Sequence, residues 1–202
     1  MSHAVLSEVF QKFPPKHKIL VDIGAYGAPI SNTIGLLSEG WRGILIEANP
    51  DRHEAIKKEF EGKNVEVLQL GVTDVEGEME YHLHSEPLHN SFNPDWYPPS
   101  KIGKSIMVKT RPIANILRER NIPVDFDLLA VDTEGFDKKI VAAMFTSEYR
   151  PRVIITERTS YAVIPENKAE ADAFYLANGY KFYWESGNPT YGDLIYLRAD
   201  VG

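Results

Sequence analysis

The sequence of 202 residues contains no cysteine. This absence excludes disulfide bonds, thiolate metal sites and cysteine nucleophiles. The chain also has no apolar run of the ~20 residues that a membrane-spanning helix needs, and residues 1–18 lack the basic-then-apolar order of a signal peptide. We therefore expect a soluble, cytoplasmic protein that has no membrane partner.

Basic residues are in the minority, with 22 Lys and Arg against 29 Asp and Glu and a net charge of -7. An acidic surface argues against nonspecific binding of nucleic acid, which needs a basic footprint. The apolar share of 43% suffices for one domain with its own core, because a chain of this size buries roughly 70% of its unfolded surface. The sequence predicts a single domain over residues 1–202 and leaves its oligomeric state open.

Short apolar runs alternate with amphipathic segments along most of the chain. Strands are predicted at 18–23, 43–47, 65–70, 126–131 and 152–156, and an antiparallel pair at 180–184 and 194–197. Helices are predicted at 2–13, 31–38, 50–60, 112–120, 138–145 and 166–178. The first of them lies within an N-terminal segment 1–15, and the second has Ser31 or Asn32 as its expected N-cap. The pattern indicates an α/β fold with helices on both faces of an open, mostly parallel sheet.

The segment from 78 to 109 departs from this alternation. Residues 78–84 alternate strictly between polar and apolar, which is typical of a strand with one wet face. Its His82 and His84 share one face and either meet water or bind a metal ion with neighbouring acids; the first interpretation is favoured, and no metal site is predicted. Residues 85–105 are irregular and contain four prolines, so we expect a substrate lid there, followed by a strand at 106–109.

The most informative stretch is residues 18–50, where an apolar strand runs into Asp22-Ile23-Gly24-Ala25-Tyr26-Gly27 and a second strand ends at Glu47. A strand, glycine turn, helix, strand and acid in this order bind nucleoside cofactors, because the glycines admit the ligand and the acid accepts hydrogen bonds from a ribose diol. An acid inside the glycine turn would repel a pyrophosphate. It suits a cationic ligand such as S-adenosylmethionine, although a plain turn that needs glycine for positive φ has the same pattern.

Acidic residues follow the predicted strands repeatedly. Four apolar strands end in an acid, and a fifth acid lies shortly after the third strand: Asp22, Glu47, Asp132, Glu157 and Asp74. Ligands bind outside the carboxyl ends of parallel strands, so we expect these side chains at one edge of the sheet. Asp74 is either a partner for an adenine amino group or an ordinary turn aspartate.

Two separated blocks of sequence resemble the FkbM-type methyltransferases. The first comprises Asp22-Ile23-Gly24-Ala25, Ser31-Asn32-Thr33, Gly40-Trp41-Arg42-Gly43 and Ile46-Glu47 through Asn49-Pro50, and the second is Leu129 to Gly135 with its D-x-E-G signature. The resemblance extends over residues 18–157. It implies a class I, Rossmann-like fold with a seven-stranded sheet, and S-adenosylmethionine-dependent methylation of a hydroxyl, often on a sugar of a glycan or secondary metabolite. The Tyr26-Gly27-Ala28-Pro29 turn differs from the family pattern.

These motifs define the predicted site. The cofactor is expected to contact the glycine turn, the tip of the second strand and the segment after the third: Asp22, Gly24, Ala25, Tyr26, Gly27, Ser31, Glu47, Ala48, Asn49, Gly71, Val72, Thr73 and Asp74. Asp132 is the first predicted catalytic residue, since a carboxylate at a strand tip can orient or deprotonate a hydroxyl, and Glu134 is a further catalytic candidate. Alternatively, Asp132 or Glu134 caps the next helix.

Each of the remaining candidate site residues also has a structural interpretation. Glu157 either faces the same cleft or pairs with Arg152 or Arg158, and His89 is either a general base or a solvated loop residue. Trp96, Tyr97, Tyr161 and Tyr191 either pack against sugar rings or anchor loops. Two other functions remain open at this point. They are a noncatalytic cofactor-binding domain and, against the glycine spacing, a nicotinamide-dependent oxidoreductase.

Overall fold

The computed structural model describes residues 2–28, 30–96, 98, 101–159, 168–186 and 191–201. Its strands are β1 (Ile19–Ile23), β2 (Arg42–Glu47), β3 (Val65–Gln69), β4 (Gly71–Thr73), β5 (Gly77–His84), β6 (Ile102–Pro112), β7 (Leu128–Val131), β8 (Val153–Thr159), β9 (Tyr180–Glu185) and β10 (Tyr191–Arg198). Its helices are α1 (Ser2–Lys12), α2 (Ile34–Ser38), α3 (Pro50–Glu59), α4 (Ile113–Glu119), α5 (Asp137–Phe145) and α6 (Lys168–Ala177). None of the helices in these ranges is long and apolar enough to cross a membrane.

Seven strands form the main sheet in the order β3-β2-β1-β7-β8-β10-β9. The neighbours from β3 to β8 are parallel, whereas β10 runs antiparallel to both β8 and β9. This confirms the predicted fold class, including the antiparallel C-terminal pair. The strand order reverses between β1 and β7, and this switch point is where open α/β sheets bind their ligands.

The central strands of the main sheet are buried on both faces, and successive side chains of each strand point to opposite faces. On one face Leu20 of β1 belongs to a core with Leu6 and Phe10 of α1. On the other face the adjacent Val21 belongs to a core with Ile116 of α4 and Ile140 of α5. A strand covered on both faces must be apolar almost throughout, which is why β1 was recognisable in the sequence.

The predicted helix at 31–38 is shorter in the structure. Helix α2 begins at Ile34, and its N-cap position is occupied by Thr33, without a side-chain cap. The prediction of Ser31 or Asn32 as the N-cap is therefore wrong. The Ser31 hydroxyl donates to Asp22 at 3.0 Å and the Asn32 amide donates to an acid on β10, so both are drawn towards carboxylates instead.

A second sheet of three strands, in the order β4-β6-β5, was not predicted as a separate layer. Residues 71–73, which follow the predicted strand at 65–70, form β4 and pair in parallel with the end of β6. Strand β6 pairs antiparallel with β5 and begins at Ile102, so residues 102–105 of the expected irregular segment are strand. After the half-buried Ile102, residues 103–105 of β6 are an exposed glycine, lysine and serine, which leave little hydrophobic signal for the strand in the sequence.

Candidate functional site

A hollow with about 630 Å³ of empty space, part of which is open to solvent, lies at the carboxyl ends of β1, β2 and β7; we call it the first hollow. Nine of the predicted site residues line it: Gly24, Tyr26, Glu47, Ala48, Asn49, Gly71, Val72, Asp132 and Glu134. The tips of β1, β2 and β7, which the parallel sheet brings together, therefore surround this cavity.

A second hollow of about 380 Å³ adjoins the first and lies towards β8 and β10. Its lining includes the acids Asp22, Glu157 and Asp193. The two hollows share three lining residues, Gly24, Tyr26 and Asp132. The two hollows are therefore adjacent at these three residues.

Gly24 allows the two central strands to approach each other at their tips. Its φ is +80°, and a Cβ atom there would lie 1.7 Å from the carbonyl oxygen of Asp132. The amides of Gly24 and Ala25 donate to the carbonyl of Ile46 at 2.9 and 3.1 Å. Gly24 is thus fixed by β2 and β7 together, and only glycine fits the space between them.

Helix α3 holds the unusual turn that follows Gly24. Arg52 donates a hydrogen bond to the Tyr26 carbonyl, and its guanidinium lies 3.8 Å from the centre of the Tyr26 ring. The Glu59 carboxylate accepts from the Ala28 amide at 3.0 Å and would lie 2.7 Å from a Cβ atom at Gly27. Arg52 also lines the first hollow. No local signal in the sequence predicts this position, because it depends on how α3 packs. Pro29 lies outside the described residues.

Glu47 stands at the end of β2 with only 6% of its surface exposed. Its carboxylate accepts from the Asn49 amide at 2.6 Å, which fixes its orientation at the first hollow. Burial raises the pKa of Glu47 to about 7, against the opposing effect of the Asn49 hydrogen bond and the Arg52 charge. This is the acid that the sequence assigned to a ribose diol.

The remaining wall of the first hollow is largely apolar and comes from the second sheet and the segment after β5. Tyr81 and Phe92 contact each other with ring centres 4.7 Å apart, and Leu88 lies near the mouth. Phe92 presses so closely on Gly71 that a Cβ atom there would lie 2.3 Å from its ring. Sequence reasoning missed these residues; the strict alternation at 78–84 was the one available signal, since it places Tyr81 on the dry face.

Asp22 orders the segment after the glycine turn. Its carboxylate accepts hydrogen bonds from Ser31 at 3.0 Å and from Thr33 at 2.6 Å. Burial raises its pKa, while these two hydrogen bonds act in the opposite direction. Asp22 and Ser31 line the second hollow and not the first.

Three carboxylates converge where the hollows meet. Oxygens of Asp132, Glu134 and Glu157 lie within 4.8 Å of one another. The Asp132 side chain is exposed at this opening. Desolvation by the surrounding protein and the charge of Glu157 raise the pKa of Asp132 well above its usual range. Of the two alternative partners for Glu157, Arg152 pairs with Asp127 at 3.4 Å, and the Arg158 side chain lies outside the described part of the chain. Three such carboxylates are also a ligand set that suits a divalent cation.

The D-x-E-G turn is held by the next acid along the chain. Asp137 accepts from the Thr133 amide at 3.3 Å and from its hydroxyl at 3.1 Å. The N-cap position of α5 is Phe136, without a side-chain cap. The alternative in which Asp132 or Glu134 caps this helix is therefore wrong, and both carboxylates face the hollows.

Several predicted cofactor contacts lie away from both hollows. The Thr73 hydroxyl donates to the carbonyl of Val75 at 2.9 Å, and Asp74 pairs with Lys139 at 3.0 Å. Neither residue lines a hollow, nor do Ala25 and Gly27. The turn-aspartate interpretation of Asp74 fits this geometry, because its neighbour in space is a lysine of α5 rather than the cavity.

His89 also lies away from both hollows, although Leu88 and Asn90 beside it line the first. Its ring packs edge-on against His84 with centres 5.2 Å apart, and its Nδ1 lies 3.7 Å from Glu86. Burial lowers the pKa of His89. The structure thus does not place this histidine where a general base would meet the acceptor.

Of the loop aromatics, Trp96 is an anchor, donating its indole N–H to Glu134 at 2.9 Å. Tyr97 and Tyr161 lie outside the described residues. Tyr191 is described only as part of β10, without its side chain. His82, on the polar face of β5, is half-buried and contacts Ser105 at 2.9 Å.

The sheet order and the two adjoining hollows at its switch point define a Rossmann-like, class I methyltransferase fold. The chain belongs to the family of the methyltransferase FkbM domain, whose model matches residues 22–182. The resemblance inferred from the two sequence blocks is confirmed, and the match supports S-adenosylmethionine as the cofactor. It is evidence against the nicotinamide-dependent oxidoreductase. No curated protein matches the sequence.

Solved structures share the fold at low sequence identity. The magnesium protoporphyrin IX methyltransferase ChlM from Synechocystis PCC 6803, crystallised with bound SAM, has a TM-score of 0.54 and 9% identity over 98% of this chain and 77% of that one. The putative methyltransferase yhhF from Escherichia coli has a TM-score of 0.54 and 12% identity, over 98% and 85%. A 1,6-didemethyltoxoflavin-N1-methyltransferase from Burkholderia thailandensis, with bound S-adenosylhomocysteine, has a TM-score of 0.53 and 13% identity, over 98% and 77%. These structures show the fold and leave the acceptor open.

Proposed function

We propose that this protein is an S-adenosylmethionine-dependent O-methyltransferase that methylates a hydroxyl of a sugar, in a glycan or a secondary metabolite. The observation that carries the proposal is the pair of adjoining hollows with Asp132 at their junction. Methyl transfer needs a cofactor and an acceptor that meet at one point, with a proton acceptor beside it. The choice of a sugar rests on the family resemblance alone.

The first hollow fits the nucleoside part of the cofactor. Glu47 at the tip of β2 would accept hydrogen bonds from the ribose, and the walls formed by Val72 and Phe92 would pack against the adenine. Gly24 leaves room for a ligand to approach the backbone at the junction of the hollows. When bound, S-adenosylmethionine supplies a methyl group on a positively charged sulfur.

Asp132 would orient the acceptor hydroxyl from the second hollow and take up its proton. The raised pKa of Asp132 makes its carboxylate a stronger base than an ordinary aspartate, which favours proton uptake. Glu157, which also lines the second hollow, would bind a second polar group of the acceptor. These roles follow from the position of each carboxylate at the opening.

The second candidate is a noncatalytic domain that binds the cofactor. The turn at Tyr26–Ala28 favours it, because this turn departs from the family pattern and is held by Arg52 and Glu59. Both functions predict cofactor binding in the first hollow, and only the enzyme predicts turnover.

The test combines calorimetry with S-adenosylmethionine and a screen with a labelled methyl donor and methyl glycosides of neutral hexoses and 6-deoxyhexoses. We expect binding, and label on at least one glycoside. Asp132→Asn should lower transfer on the order of 100-fold while the dissociation constant for S-adenosylmethionine stays within about threefold of the wild-type value. Absence of binding would contradict both functions, and binding without label on any acceptor would favour the noncatalytic domain.

A further inference from the structure

We infer that Trp96 is a positioning residue of the proposed methyl-transfer site: it holds the Glu134 carboxylate towards Asp132 and Glu157. The inference rests on the proposed function, and it concerns a residue that lines neither hollow. Trp96 is only 9% exposed and reaches the site through Glu134.

The indole of Trp96 contacts the D-x-E-G turn in two ways. Its Nε1–H donates to Glu134 Oε2 at 2.9 Å. Its ring lies on Gly135, where a Cβ atom would come within 2.4 Å of the ring carbons. The glycine of this turn therefore makes room for the indole, and the indole fixes the direction of the Glu134 side chain.

The Glu134 backbone is held by the same segment. Its φ is +53°, which is unfavourable for a residue with a side chain. The Ser91 hydroxyl donates to the Glu134 carbonyl at 2.6 Å, and the Asn93 amide donates to Ser91 at 2.9 Å. A hydrogen bond from the Trp96 amide to the Asn93 carbonyl at 3.1 Å closes this short turn and presents the indole.

Electrostatics explains why Glu134 needs a donor. Its carboxylate stands within 4.8 Å of Asp132 and Glu157, and like charges at this distance repel each other. Rotation into water would relieve that repulsion. The Trp96 N–H stabilises the inward rotamer, because a hydrogen bond from a buried donor to a carboxylate is strong.

The segment also links the acid turn to the cofactor cavity. Leu88, Asn90 and Phe92 of residues 87–96 line the first hollow, while Ser91 and Trp96 hold Glu134. One stretch of chain therefore contacts the cofactor site on one side and fixes an acid of the proposed transfer site on the other. If Trp96 only filled space beside Gly135, the site would need its aromatic ring but not its N–H group.

Trp96→Phe tests this difference, since it keeps an aromatic ring on Gly135 and removes the donor. Trp184→Phe on β9 is the matched control, because Trp184 is half-buried and lines neither hollow. In crystal structures of Trp96→Phe, we expect the Glu134 carboxylate to leave its position near Asp132 and Glu157. Methyl transfer to a glycoside should fall on the order of tenfold to 100-fold, with the dissociation constant for S-adenosylmethionine within about threefold of wild type. Trp184→Phe should change none of these.

An unmoved Glu134 carboxylate in Trp96→Phe would overturn the inference, as would a loss of activity explained by weaker cofactor binding. The crystallographic comparison needs no acceptor, so it decides the matter even when no glycoside is methylated. Failure of the wild-type protein to bind S-adenosylmethionine would instead contradict the proposed function.

A second variant protects the test against misfolding of Trp96→Phe. Glu134→Gly removes the hydrogen-bond acceptor of Trp96, and glycine tolerates the backbone conformation at this position. The measurement is a nitrogen–proton NMR spectrum, in which the three tryptophans of the chain give three indole N–H signals. We expect the Trp96 signal to move towards the value of a solvent-exposed indole while the other two stay. An unchanged Trp96 signal would show that the hydrogen bond is not formed and overturn the inference.

Discussion

Burial raises the pKa of Glu47 to about 7, so at neutral pH the acid assigned to the ribose is only partly ionised. A ribose diol donates hydrogen bonds, and an ionised carboxylate is the better acceptor. Cofactor binding therefore favours the ionised form. We expect the association constant for S-adenosylmethionine to rise about tenfold between pH 6 and pH 8, in proportion to the ionised fraction.

Calorimetry across this pH range measures the effect, and Glu47→Gln is the control. The variant binds more weakly and retains only the pH dependence that belongs to the ligand itself. Equal pH dependence in the two proteins would show that Glu47 does not contact the ribose.

The same shift in pKa predicts how stability depends on pH. The folded-state pKa of Glu47 lies above its usual value of 4.5, so the folded protein retains a proton that the unfolded chain releases. The stabilising contribution of protonated Glu47 is complete below about pH 4.5 and is lost as pH rises through about 7. Relative to wild type, Glu47→Gln should gain about 3 kcal/mol in unfolding free energy at pH 8 and almost nothing at pH 4.5. Urea unfolding at the two pH values tests the prediction, and a constant difference would contradict it.

At the residue scale, the acids of the site were predictable and its other members were not. Glu47 and Asp132 end apolar strands, and parallel strands bring their carboxyl ends to one edge of a sheet. Arg52 and Phe92 reach the first hollow from a helix surface and an irregular segment. Their positions depend on tertiary packing, which local periodicity does not encode.

At the scale of elements, the sharpest prediction concerns Gly24, where the tips of the parallel strands β1 and β7 approach each other. Gly24 and Gly40 have similar positive φ angles, +80° and +84°. A Cβ atom at Gly24 would meet the Asp132 carbonyl, whereas a Cβ atom at Gly40 would meet nothing within 4 Å. Gly40→Ala should cost about 1–2 kcal/mol for its backbone conformation. Gly24→Ala should cost a further ~3 kcal/mol or more, because the strand tips must separate.

Thermal unfolding of the two variants and calorimetry with S-adenosylmethionine test this pair. We expect Gly40→Ala to bind the cofactor normally and Gly24→Ala to lose binding even where it remains folded. Equal stability of the two variants would show that the strand tips have room to move apart.

The elements that sequence reasoning missed are those without a hydrophobic pattern of their own. Strand β4 has three residues, and β6 has only one apolar residue, Ile102, among its first four, which pair with the end of β5. Their stability comes from cross-strand pairing with a distant partner. Strands buried on both faces, such as β1 and β2, were found because burial alone requires an apolar run.

At the scale of the whole molecule, the acids at the two ends of the sheet have different roles. Asp127 precedes β7 and Asp132 follows it, so the two lie at opposite ends of one strand. Asp127 is completely buried and accepts hydrogen bonds from the amides of Lys16 and His17 at 2.6 and 2.8 Å. It also pairs with Arg152 at 3.4 Å. It thus ties the segment before β1 and the start of β8 to the middle of the sheet.

This division predicts that stability depends on Asp127 and methyl transfer on Asp132. Asp127→Ala leaves buried donors without an acceptor and should cost about 3–5 kcal/mol in unfolding free energy, with Asp127→Asn losing less because one acceptor oxygen remains. Well below the melting temperature, both variants should bind S-adenosylmethionine with nearly wild-type affinity. Asp132→Asn should do the opposite, retaining stability and losing methyl transfer. Weak cofactor binding by fully folded Asp127→Asn would contradict this prediction. It would show that packing around Asp127, at the other end of β7, affects the shape of the hollows.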